Sequence, residues 1–298
     1  RQRQMCIRDR CIPLGMLNYQ LPIDDISTQK AYEYVEIEKA FSYISHSSQL
    51  EFDFPQGGCQ QRSHAISMIL AKKFGIQHCK IWLFSPAALL DFDTRALYVE
   101  DKNKLTPNNT ICWNYHTAPM VKLSNGDAID YLIIDPSLNR KMPLLLADWL
   151  GSIGNSDNSK YTFLAPEKYF FNCKYNNFSQ LTNVFDGSFF EFINPAKDNL
   201  VLEKGLAVND MAMLIYKKHI LPLMNAWLMK DEAKLQDLKD IFGNATALDL
   251  LFAQNLSGNT DNTSYRYVLA QYGSIMKEAK QIFHERLLFW TKFTNELL

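Results

Sequence analysis

Two apolar runs, Ile111–Leu123 and Ile129–Ile134, are separated by Ser124-Asn125-Gly126-Asp127. Asn-Gly between apolar runs is the strongest short-range hairpin signal, because both central residues of a type I′ turn need positive φ. An antiparallel pair therefore stands mid-chain, and the rest of the fold must cover the sheet it starts. With Asn125 and Gly126 as the two loop residues, Ser124 faces Asp127, and counting back in step His116 faces Asp135. Their Cβ atoms would then lie about 5 Å apart on one face. Pro119 falls at a non-hydrogen-bonded position, its missing N–H turned away from the partner strand, and a β-bulge there would spoil the count.

Upstream, Leu50–Phe54 alternates like a short strand, and Pro55, Gly57 and Gly58 break it. From Cys59 the period changes to 3.6: Ala65, Ile66, Ile69, Leu70 and Phe74 share one face, and Gly75 suits the helix end. Residues 28–47 carry the apolar spacing of another amphipathic helix. Cys79–Phe84 is strand-like, whereas Asp91–Asn109 is polar, contains Pro107 and reads as a long loop. Residues 151–160 form a second loop, with strand-like pieces at Tyr161–Leu164 and Phe189–Ile193.

After Pro195 the composition shifts. Residues 200–298 contain only Pro222 and show helical spacing in about four segments. Along the last, about Tyr265–Leu297, residues Leu269, Tyr272, Met276, Ala279, Phe283, Leu287 and Trp290 follow one face. The expected fold is α+β: an antiparallel sheet with the Cys59 helix packed against it over residues 20–195, then an all-helical region over 200–298.

Composition excludes several classes. A net charge of −1 gives no bulk attraction to nucleic acid or an anionic membrane. No apolar run reaches the roughly 18 residues of a membrane span, so the chain reads as soluble. The cysteines show no CxxC pair and no Cys/His cluster, so neither a zinc site nor a disulfide scaffold is expected. Residues 1–10 resemble translated adaptor sequence and are set aside with Cys6; the true start, and any signal or pro-segment, would then be missing.

Chemistry concentrates at Cys59. The residue follows Gly57-Gly58 and opens a helix, where unpaired backbone N–H groups and the helix dipole favour a thiolate. A small buried residue at a helix start is the plainer alternative, as a merely stabilising cross-strand pair is for His116 and Asp135. Together the three form a nucleophile, a base and a carboxylate that orients the base. The backbone N–H of Cys59, beside Gly58, is the natural first oxyanion donor; no second donor can be assigned. His64 lies five residues on, about 140° around the helix, and is taken as structural. By strand parity Trp113 and Tyr115 point away from His116 and are given packing roles. His46, His78, His219 and His284 have no partner visible in the sequence.

These residues also carry a family resemblance. Leu50–Leu70 is similar to the nucleophile segment of bacterial protein glutaminases, in which a Gly-Cys step leads into a helix with Arg and His three and five places on, here Arg62 and His64. Trp113-Asn114-Tyr115-His116 resembles the W-x-Y-H strand of that family, and Ile133-Ile134-Asp135-Pro136-Ser137-Leu138 its I-I-D-P-S-L segment. The resemblance spans about residues 28–175. It implies a papain- or transglutaminase-like core, and hydrolysis of glutamine side-chain amides in proteins or peptides through a Cys59 thioester, without metal or organic cofactor. Arg62, His64, Trp113 and Tyr115 would support the triad, and secretion or export would follow. Transglutaminases and cysteine proteases use the same Cys–His–Asp order, and a binding protein acting through its helical tail is a further alternative. Three departures stand out. The Leu90–Asn109 loop is longer, the family's disulfide cysteines are represented only in part, by Cys79 and Cys112, and residues 200–298 have no counterpart. That tail would support the core or recruit a protein partner.

Overall fold

The structure, a computed structural model, describes residues 21, 23–89, 93–126, 128–173, 185–189, 200–226, 231–248, 251–252 and 270–297 of the 298. Residues 1–10 and Phe189–Ile193 beyond residue 189 lie outside that set. Helix α1 (Tyr34–His46) starts later than the apolar spacing suggests, at a capping box in which the Glu36 carboxylate accepts the Glu33 backbone N–H at 3.1 Å. It buries Ile37, Ala40, Phe41 and Ile44.

Leu50–Phe54 is not a strand. Leu50, Phe52 and Phe54 are buried, which produces the alternation, yet the carbonyls in this stretch meet side chains instead of a neighbouring strand. Phe54 C=O accepts from Arg62 Nη1 at 3.1 Å and Pro55 C=O from Trp113 Nε1 at 2.9 Å. Helix α2 (Cys59–Phe74) follows, between two left-handed glycines, Gly58 (φ 75°) and Gly75 (φ 64°). From Arg62 to Leu70 every residue is buried, so α2 is enclosed on all sides rather than amphipathic.

Strand β1 (Cys79–Phe84) is followed by the short helix α3 (Pro86–Leu89). The expected loop at 91–109 contains β2 (Leu97–Glu100), which pairs with β3 (Thr110–Trp113). The polar turn between them hides the strand signal, and it is held by one buried carboxylate. Asp101 accepts the N–H groups of Asn103, Leu105 and Thr106 at 3.0, 2.8 and 2.7 Å, the Thr106 hydroxyl at 2.9 Å and Gln56 Nε2 at 3.3 Å. At Asn114 the chain leaves this ribbon, its carbonyl accepting the Ser85 N–H at 2.8 Å, and β4 (Tyr115–Asn125) begins.

β4 pairs with β5 (Ala128–Ile133), but the register differs from the expected one by two. Asn125 pairs with Ala128 and Met120 with Ile133. Pro119 accepts the Ile134 N–H at 2.9 Å. In an antiparallel ladder a residue's N–H and C=O point the same way, so Pro119 occupies a hydrogen-bonded position, contrary to expectation, and cannot return the bond. The ladder stops there and releases Asp135. The hairpin continues through β6 (Leu144–Leu145), helix α4 (Leu146–Gly151) and β7 (Lys160–Leu164) into an antiparallel sheet of order β6-β5-β4-β1-β7. A separate ribbon joins β8 (Lys168–Cys173) to β9 (Phe185–Phe189).

Residues 200–226 form α5 (Val201–Ile215), a π turn (Tyr216–Ile220) and α6 (Leu221–Asn225). The π turn accommodates Pro222, whose ring and missing N–H disrupt regular helix. Then come α7 (Glu232–Phe242), α8 (Ala245–Leu248) and α9 (Gly273–Leu297). Of the face expected along α9, Met276, Ala279, Phe283 and Trp290 are buried. Residues of α1, α2, α5, α7 and α9 share one apolar cluster with Val121, Leu132 and Ile134 of the sheet region, while Ile81, Leu83, Met120 and Ile133 face a second one with Trp149. Among the described residues no helix is long and apolar enough to cross a membrane.

Asp101→Ala would strand several buried donors at once. Denaturant unfolding should show a loss of about 3 kcal/mol with an unchanged m-value, whereas a loss below about 1 kcal/mol would mean the turn repairs itself.

Candidate active site

Cys59 is the first residue of α2, His116 the second of β4, and Asp135 lies two residues past β5. All three line one small pocket with Arg62, Ser63 and Ser137. His116 Nε2 lies 2.7 Å from Asp135 Oδ2. The carboxylate can only accept, so Nε2 carries the proton and Nδ1 of the neutral ring is the basic atom. Among the described residues the buried Nδ1 has no hydrogen-bond partner of ordinary geometry, and the Cys59 sulfur is close enough to raise the ring's pKa. The register differs from the expected one by two residues, an even number, which is why the expected pairing still puts His116 and Asp135 on one face. A strand's side-chain period is two, so a shift of two preserves the face.

Burial opposes charge on His116, yet the Asp135 carboxylate, by charge and hydrogen bond, and Cys59 more than offset it; the pKa rises to about 9. Burial likewise works to raise Asp135, and His116, Ser137 and Trp149 overcome it, holding the pKa at about 2. The carboxylate accepts the Ser137 N–H at 3.2 Å, the Ser137 hydroxyl and Trp149 Nε1 at 2.9 Å in addition to His116. Asp-Pro-Ser is a turn signature in which the Asp side chain bonds its own backbone two residues on. Trp149 had no comparable signal.

Trp113 departs from expectation. It stacks on the His116 ring at 4.5 Å and 10°, and Trp149 stacks on it at 5.7 Å and 20°. Parity fails because the strand breaks at Asn114. Tyr115 does point away, packing against Trp82 and Phe84. Arg62 is 3% exposed, one helical turn beyond Cys59, with Nη2 unpartnered among the described residues. Burial lowers its pKa, while the charges of Cys59, Asp135 and Glu51 pull it back up.

His64 is not brought to the triad. Its Nδ1 lies 2.9 Å from Lys80 Nζ and its ring meets Tyr169 edge-on. Burial, then Lys80 and His78, push it well below the usual histidine range. His219 has a partner the sequence did not reveal, Glu278 at 2.9 Å. Cys79 and Cys112 are unbridged. Among the described residues no cluster of three or more His, Cys, Asp or Glu side chains could hold a metal ion.

The two shifts fix a pH window. A histidine raised from 6.5 to about 9 contributes stability that is full below 6.5 and is lost as pH rises through 9. A carboxylate lowered from 3.8 to about 2 contributes above 3.8 and loses that as pH falls through 2. Asp135→Asn leaves burial unopposed by a carboxylate. NMR titration should find the His116 pKa falling from about 9 to below 6.5, and an unmoved value would mean that Asp135 does not control the ring.

Residues 37–153, a stretch that takes in Cys59, His116 and Asp135, match the model of a protein family described as glutaminase. No curated protein matches. Among solved structures, the NMR structure of protein-glutaminase from Chryseobacterium proteolyticum is 20% identical, with 62% of this chain and 89% of that chain covered and a TM-score of 0.41. A crystal structure of pro-protein-glutaminase is 19% identical, with 65% and 63% covered and a TM-score of 0.41. A crystal structure of protein-glutaminase is 21% identical, with 59% and 84% covered and a TM-score of 0.37.

Proposed function

We propose that this chain hydrolyses the side-chain amide of glutamine residues in proteins or peptides, releasing ammonia and leaving glutamate, with Cys59 as nucleophile. The observation that carries the reading is the line from the Cys59 thiol to the His116 ring and on to Asp135 at 2.7 Å, at the mouth of a helix. The match of residues 37–153 to a family model described as glutaminase supports the choice of a glutamine amide as substrate. The antiparallel sheet with α2 packed on it suits a papain- or transglutaminase-like core, which we assign to residues 20–195, with 200–298 as its helical extension.

Each part has a task. His116 Nδ1 takes the Cys59 proton, or the two rest as a thiolate–imidazolium pair, and Asp135 holds the imidazolium in place and offsets its charge. The flanking indoles of Trp113 and Trp149 keep the ring in one plane, so its two nitrogens stay aimed at sulfur and carboxylate. Attack on the amide carbon gives a tetrahedral intermediate whose oxyanion faces the backbone N–H of Cys59, a donor worth about 3 kcal/mol in such sites. His116 then protonates the leaving ammonia, and the thioester forms. Water, deprotonated by the now neutral His116, hydrolyses the thioester to the γ-carboxylate. The buried Arg62 guanidinium adds positive charge near sulfur throughout.

On a glutamine-containing protein, the wild-type chain should release ammonia and add about 1 Da per converted site, without cross-linked or cleaved product. Cross-linking in place of acid formation would turn the reading to amine transfer, and backbone cleavage to proteolysis. Cys59→Ala should lower ammonia release by about 10³-fold or more with the fold intact, and unchanged release would reject Cys59.

A further inference from the structure

The helical extension reaches the nucleophile turn. Three glycines mark the closest approach: a Cβ on Gly57 would collide with Ala245 of α8, one on Gly205 of α5 with the Gln61 side chain, and one on Gly58 with the amide of Asn209 on α5. The Asn209 amide therefore lies against the residue immediately before Cys59, with Nδ2 its nearest atom. It is 3% exposed, and its Nδ2 has no hydrogen-bond partner among the described residues. Gly58 is the N-cap of helix α2, and among the described residues it has no side-chain cap hydrogen bond, so the amide lies beside the end of the helix that carries its unpaired N–H groups.

A buried amide N–H beside a helix N-terminus sets donors against donors, an arrangement unfavourable on its own. The group that satisfies both is an acceptor carrying negative charge. In the reaction proposed above, that group appears when the thiolate adds to the amide carbon and the carbonyl π electrons move onto oxygen. We infer that Asn209 Nδ2 is the second oxyanion donor, acting beside the backbone N–H of Cys59, and that residues 200–298 thereby complete the catalytic centre. The inference rests on Cys59 being the nucleophile. A single donor of this kind is typically worth about 10²- to 10³-fold in kcat.

The test uses the full chain. Asn209→Ala should lower kcat for ammonia release about 10²-fold with KM changed less than about twofold. Alkylation of Cys59 by iodoacetamide, which develops no oxyanion, should stay within about twofold of wild type, while affinity for a peptide aldehyde that forms a thiohemiacetal should fall in parallel with kcat. Asn209→Asp separates donor from acceptor. If Asn209 merely caps α2, aspartate caps as well and activity survives; if it donates to an oxyanion, aspartate should be at least as damaging as alanine. Should Asn209→Ala fail to fold, Asn209→Asp and Asn209→Ser carry the comparison. Wild-type activity together with a full kcat in Asn209→Ala, or in Asn209→Asp, overturns the oxyanion role alone. A wild-type chain that releases no ammonia from any glutamine substrate overturns this inference and the reading beneath it.

Discussion

The buried pair of His116 and Asp135 is the constraint to which the rest of the site answers. Two ionisable groups at 1% and 6% exposure would be strongly destabilising if either lacked partners. The fold supplies them from three separate places. Ser137 comes from the turn that follows Asp135, Trp149 from α4, and the imidazole itself from β4. Each donor depends on the chain leaving the β4–β5 ladder where it does. Pro119 ends that ladder by lacking the N–H that would return the bond from Ile134. One proline thus frees the carboxylate from sheet geometry while keeping it on the histidine's face.

Much of this was legible in the sequence because strands and helices have fixed periods. The hairpin, the Cys59 helix with its terminal glycine, and the pairing of His116 with Asp135 all follow from them. The turn was placed one residue early, which moves the register by two, since Asn-Gly reports a tight turn but not which of its residues are central. That error was harmless, as parity survived. A break of one residue was not: Asn114 interrupts the strand, and Trp113 swings onto His116. The alternation of Leu50–Phe54 likewise reports burial of every second side chain, which strands share with any extended segment packed on a core. Trp149 was illegible because its role arises from a contact across the chain, with no local pattern to announce it.

Helix α2 shows how the helical extension changes the meaning of a sequence pattern. On a two-layer fold, Ser63, His64 and Ser67 would mark a solvent face. Here all three are buried, His64 against Lys80 of β1 and Tyr169 of β8 and Ser63 in the pocket it shares with His116, while α5 closes the Gln61 face of the helix at Gly205. Lys80 is drawn into the same interior, where burial pushes its pKa well below the lysine range and its Nζ meets His64 Nδ1 at 2.9 Å and the Lys168 carbonyl at 2.8 Å. A helix so enclosed cannot rock on the sheet. Its N-terminus, and the sulfur it carries, are thereby held in one position relative to the ring on β4.

Gly57 and Gly58 tie that rigidity to the chemistry. Two features favour glycine at position 58: its φ of 75° is unfavourable for most side chains, and the space a Cβ would fill is taken by Asn209. Asparagine tolerates the first condition in many turns, so conformation alone would admit it. Only the close approach of α5 excludes it. The turn that exposes the Cys59 N–H and the surface that receives the helical extension are therefore one feature, and neither can change without the other.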